Sequence, residues 1–139
     1  MITVSMNTAT TLLRICFLVG AVTDGLAIIP MIFPRIGSAL FGADASRLGA
    51  QYRYAMGIGA SLMAGWTALL LWGAIHPMER RDILILTLVP VVAGIIAATV
   101  VAVRNRVILI SRAIPLWIHL GCVSILFVVS YGLSFYAAD

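Results

Sequence analysis

Four uninterrupted apolar runs, each about 20 residues long, decide most of what this chain can become. They lie at 10–33, 54–75, 83–103 and 116–136. A helix rises about 1.5 Å per residue, so each run is long enough to cross the hydrocarbon of a bilayer. The runs are continuous, whereas a membrane barrel needs strands that alternate between apolar and polar residues. Of 139 residues, 63% are hydrophobic and 10% charged, against roughly a quarter charged in an average soluble domain. Such a chain cannot cover its apolar surface with polar side chains. It reads as an all-α polytopic integral membrane protein, an antiparallel bundle of four transmembrane helices forming one domain over residues 1–139.

The first run does not have the form of a cleaved signal peptide. No basic residue precedes Arg14, and the apolar stretch continues to Phe33, longer than a signal-peptide core, so this helix is expected to be retained.

The links between runs are short, which makes consecutive helices antiparallel neighbours. Link one, residues 34–53, is the longest and predicts a short interfacial helix over about 36–48, with Leu40 and Phe41 dipped into lipid. Gly37 and Gly42 weaken that helix. Link two, 76–82, is a tight polar turn, and link three, 104–115, mixes arginine with the apolar patch Val107–Ile110. The side of the membrane holding links one and three is called the near side below. It carries Arg35, Arg47, Arg53, Arg104, Arg106 and Arg112, while the far side carries Arg80 and Arg81, with Arg14 able to snorkel there. The positive-inside rule places the near side in the cytoplasm of an inner (plasma) membrane protein and both termini in the periplasm or outside the cell.

Several chemistries are excluded or unsupported. All nine basic residues are arginine, so no lysine exists to form a Schiff base with retinal or pyridoxal. Cys16 and Cys122 stand alone in separate runs, without a Cys-x-x-Cys pair for thiol–disulfide exchange. His76 and His119 lie at opposite membrane sides and cannot both ligate one haem within a chain. No His/Cys/carboxylate cluster has metal-ligand spacing on any helix, so neither cofactor nor metal is expected. The net charge of +4 comes from arginines flanking the spans, which suits anionic headgroups rather than nucleic acid.

Packing signals are strongest in the second and third runs. In the second run Gly57, Ser61 and Gly65 form one small-residue row and Ala60, Ala64 and Ala68 the next, and in the third Pro90, Gly94, Ala98 and Ala102 form another. Helices in lipid associate where small side chains let backbones approach. These rows predict close packing of spans two and three, within the monomer or across a homo-oligomer or larger complex.

The most informative residue is Asp24, a carboxylate inside the first apolar run. Gly20 and Ala21 precede it by one turn, and Ala27 and Ile28 follow by one turn, a face expected to point into the bundle. A charge at mid-membrane costs about 2.5–3.5 kcal/mol even on the lenient insertion scale, so Asp24 calls for a cation or a proton. Pro30 removes a backbone donor six residues on and opens room below it. Asp24 is expected about 13 Å from the near end of its span, with Thr99 and His119 each about 6 Å in. Arg53, flanked by Tyr52 and Tyr54 at the near mouth of span two, is the first candidate partner for Asp24, and His119 the second. The ligand-binding or proton-carrying set is therefore Asp24, Arg53, His119, Thr99 and Tyr54. Tyr52, Tyr54, Trp72, Trp117, Tyr131 and Tyr136 also fit an aromatic belt at the two interfaces.

Three functions compete on these residues. The first is binding or transport of a small molecule or ion through a polar pocket around Asp24. The second is a non-catalytic accessory or assembly subunit of a membrane complex, served by the small-residue faces. A membrane enzyme is the weakest, since no nucleophile–base pair or paired carboxylates share one level apart from Asp24 and His119.

Overall fold

The computed structural model describes residues 4–41 and 49–138. Four helices long and apolar enough to cross a membrane make up almost all of it. Helix α1 spans Met6–Ile32 and is followed by the short α2, Pro34–Phe41. Helix α3 spans Ala50–Ile75, α4 Asp82–Arg104 and α5 Ile110–Leu133. Four membrane-crossing helices place the chain ends on one side, where Val4–Ser5 and Ala137–Ala138 pair their backbones in a parallel two-residue contact.

Helix ends follow local chemistry. Ser5 begins α1 by accepting the Thr8 backbone N–H at 3.2 Å. Pro30 does not end α1, which runs two residues further before Phe33 turns extended. Pro34 then opens α2, where its missing N–H costs nothing. The fold-back is tight, because a Cβ on Gly37 would lie 2.7 Å from the Pro30 carbonyl oxygen. Of the interfacial helix expected over 36–48, residues 34–41 are helical and exposed at Ile36 and Leu40, while 42–48 fall outside the described residues. The fourth helix begins at Ile110 rather than near 116, since Pro115 sits in its second turn, where the helix continues past it. That consumes the end of link three. Pro90 has a larger effect in α4, where residues Thr87–Val92 widen into a π-helical segment. A proline cannot donate to the ladder and crowds the carbonyl one turn before it, and the wider turn absorbs this.

Helix α1 is the centre of the bundle and packs most extensively on α3 and next on α5. The α1–α3 seam is antiparallel with small residues at its contact points. Gly73 lies against Phe17, Gly20 against Leu70 and Phe127, Gly25 against Thr67, and Gly59 against Met31. Leu13, Cys16, Phe17, Ala21, Leu70, Leu84, Val123 and Phe127 form the buried core, joining all four spans.

The expected close packing of spans two and three through Gly57, Ser61 and Gly65 does not occur within the monomer. All three residues are exposed, and open space surrounds the Cα of Gly57 and Gly65. Helix α3 turns Gly59, Ala60 and Gly73 to α1 instead, so the Gly57/Ser61/Gly65 row points outward. On α4, Pro90, Gly94 and Ala98 are likewise exposed, while Leu84, Thr87, Val92 and Thr99 are buried.

Arginines close the far end. Arg14 Nε donates to the Ala74 carbonyl at 3.2 Å, and an Arg80 guanidinium N–H donates to the Trp72 carbonyl while the group stacks on the Trp72 ring at 3.6 Å. Arg81 donates to the Ser134 carbonyl at 3.3 Å and to its hydroxyl at 3.2 Å, and lies over the Phe135 ring. These bonds satisfy carbonyls at the C-terminal ends of α3 and α5, where helix ladders leave acceptors unpaired and cations are favoured. The Tyr131 hydroxyl donates to Asp82 at 3.0 Å, tying α5 to the start of α4.

Candidate functional site

Asp24 lies ten residues beyond Arg14 and eight before Ile32, or about 15 Å and 12 Å along α1, near the middle of the membrane. It is turned inward at 8% exposure, on the same face as the buried Gly20 and Ala21. Its Oδ2 is buried and receives no hydrogen bond from any described group. The charge cost foreseen for this position is therefore not met by an arginine or histidine contact at that oxygen.

Beside Asp24 runs a narrow crevice of about 80 Å³, room for several waters or one small solute. All four spans line it: Thr23 and Ala27 join Asp24 from α1, Met63 comes from α3, Thr87 and Ile95 from α4, and His119 from α5. Its lining on α5 extends from Leu116 to Phe127, about 16 Å along the helix axis. The walls are largely aliphatic, with Thr23, Asp24, Thr87 and His119 the polar residues among them. His119 is exposed and its Nε2 lies 3.4 Å from the Thr23 hydroxyl, so this pair forms the rim of the crevice on the α1–α5 seam. At the other end, Thr87 is held by two bonds. Its hydroxyl donates to the Ile83 carbonyl at 2.8 Å and accepts the Trp66 indole N–H at 3.2 Å.

The structure brings together only part of the set anticipated from sequence. Asp24 and His119 line one crevice, with His119 bonded to Thr23 rather than to the carboxylate. Arg53 is exposed and distant. Thr67 of α3 lies beside Gly25, and Arg53 is fourteen residues before Thr67, about 20 Å along the axis, beyond the reach of its stem. Arg53 does not reach Asp24 because α3 starts at Ala50 and runs alongside α1 in a different register from the one the apolar run suggests. Tyr54 is 74% exposed at the same level as Arg53. Thr99 is buried, but its hydroxyl is spent on the Ile95 carbonyl at 2.7 Å, and it does not line the crevice.

Thr23 and Thr87 are the residues that reading by depth did not select. Thr23 adjoins Asp24 in sequence, and only the packing of α1 against α5 brings it to His119. The proline at 90 was the available signal for Thr87, because π-helical turns in membrane spans commonly sit at functional positions. Among the described residues, no three of His, Cys, Asp and Glu converge as metal ligands would.

Fold and crevice together define a class, that of a polytopic four-helix membrane protein with one acid buried at its centre. No protein-family model matches the chain, and comparisons with characterised proteins and with solved structures return no match.

Proposed function

We propose that this protein, a single four-helix transmembrane domain, binds or carries a small cation or a proton through the crevice at Asp24. One observation supports the reading above all others: a carboxylate oxygen buried at mid-membrane with no donor among the described residues, beside a crevice that all four spans build. An intramembrane carboxylate without a built-in counter-ion is costly and marks an ion or proton path by default. A single carboxyl among aliphatic walls suits a small positive group; it offers nothing to an anion and no second acid for general acid–base chemistry. Access by way of the Thr23–His119 rim suits a solute entering from the α1–α5 seam. Proteoliposomes holding a pH-sensitive dye test the reading, with monovalent inorganic cations and small primary amines as probes and Asp24→Asn as the control.

A second reading keeps a specific observation of its own. The Gly57/Ser61/Gly65 row and the Pro90/Gly94/Ala98 row face outward, where a second copy or another membrane subunit can pack. On that reading Gly65→Leu shifts the protein to a smaller assembly in mild detergent, measured by light scattering. An unchanged mass removes it.

We place the protein in the inner (plasma) membrane with the near side cytoplasmic. The arginine bias supports this orientation, although Arg14, Arg80 and Arg81 serve helix ends and carry less topological weight. An alkaline phosphatase fusion after Asp139 is expected to be active in the periplasm. Activity of a cytoplasmic reporter at that position reverses the assignment.

A further inference from the structure

We infer that the turn between α4 and α5 is a docking surface for the phosphate headgroup of an anionic phospholipid. The argument begins with how differently the two sides spend their arginines. On the far side, Arg14, Arg80 and Arg81 bond backbone carbonyls of the bundle itself. On the turn at the near side, Arg104, Arg106 and Arg112 fall within nine residues and are all exposed. Links one and three together hold six arginines against a single acid, Asp44. Guanidinium groups present paired donors that match phosphate oxygens.

The backbone of the turn adds a second observation. Arg106 has φ 57°, in the left-handed region that favours glycine. The turn is a Schellman motif: Val107 N–H donates to the Ala102 carbonyl at 2.8 Å and Arg106 N–H to the Val103 carbonyl at 3.0 Å. Glycine is the usual residue where Arg106 stands. An exposed guanidinium thus stands at the turn position that the backbone would favour for glycine.

Between the arginines, Val107, Leu109 and Ile110 are 67%, 66% and 59% exposed. Apolar side chains interleaved with arginine set the turn at the boundary of acyl chains and headgroups, with the arginines at phosphate depth. A soluble anion would use the charges alone; a phospholipid uses both features.

Native mass spectrometry of the protein released from equimolar phosphatidylglycerol and phosphatidylcholine tests this, with thermal melting in parallel. The wild type is expected to retain phosphatidylglycerol preferentially. Each arginine removed is expected to lower that preference about fivefold, the effect of roughly 1 kcal/mol per basic residue near the surface. Arg106→Gly is the decisive variant, since it relieves the turn and is expected to melt no earlier than the wild type while its lipid preference falls about fivefold. Excess inorganic phosphate is expected to leave the retained lipid in place. Equal retention of the two lipids by the wild type overturns the proposal. So does an unchanged preference in Arg106→Gly or in the Arg104→Gln, Arg106→Gln, Arg112→Gln triple variant, or displacement of the lipid by inorganic phosphate.

Discussion

Asp24→Asn is expected to abolish cation- or proton-dependent signal in proteoliposomes, by tenfold or more, while leaving the folded bundle intact. Asparagine has the shape of the aspartate side chain, so the crevice walls and the packing of Gly20 and Ala21 are undisturbed. What disappears is the capacity to take up a proton or face a cation. No partner at Oδ2 is orphaned by the change, because the oxygen has none among the described residues. That distinguishes Asp24 from an interhelical clasp. Removing one half of a buried polar pair strands the other half at a cost of about 1–3 kcal/mol. A carboxylate whose burial already costs about 2.5–3.5 kcal/mol when charged is instead relieved by neutral substitution. The melting temperature in detergent is therefore expected to hold or rise. Lower stability with the signal retained would mean that the residue is architectural.

Gly73→Ala is the second large effect, and it falls on stability. A Cβ at Gly73 would lie 2.5, 2.8 and 2.9 Å from three ring carbons of Phe17. Real Cβ atoms do not approach carbon so closely, so α3 or the ring must move. Phe17 has nowhere to go, being fully buried in the core with Leu13, Leu70 and Phe127. Overpacking of this kind costs about 1–3 kcal/mol. In lipid the loss is felt directly, because packing rather than exclusion from water holds the helices together. Equilibrium unfolding in a mixed micelle measures it. Phe17→Leu in the same chain is expected to restore most of the loss, whereas Gly57→Ala and Gly65→Ala, in open space, are expected to change little.

Gly73 also shows what could be read from the sequence and what could not. The four spans were legible because length and continuous apolarity are one-dimensional properties. The inward turn of Asp24 was legible because one helix face, Gly20–Ala21–Asp24–Ala27, carries it. Choosing between the two small-residue rows of α3 was not possible on the same terms. Gly57, Ser61 and Gly65 make the more regular pattern, yet α1 takes the side bearing Gly59, Ala60 and Gly73. The selection is made by bulky partners on α1, Phe17 and Met31, which fit against those glycines. Residues on different spans share a level only once their register is fixed, and this is why Arg53 seemed near Asp24 while Thr87 did not. The far-side arginines were hidden for a related reason. Their partners are helix-end carbonyls, which leave no mark in a sequence.

Deuterium exchange read in the infrared tests the Asp24 crevice most directly. Wild type and Asp24→Asn in lipid nanodiscs are compared in H₂O and D₂O, across a pH titration and with added monovalent cation. The difference between the two proteins isolates the carboxyl of Asp24. A band that shifts in D₂O and responds to pH or to the cation is the expected result, since the crevice would connect that group to the outside. A band that neither exchanges nor responds would show a sealed carboxyl and contradict the binding role.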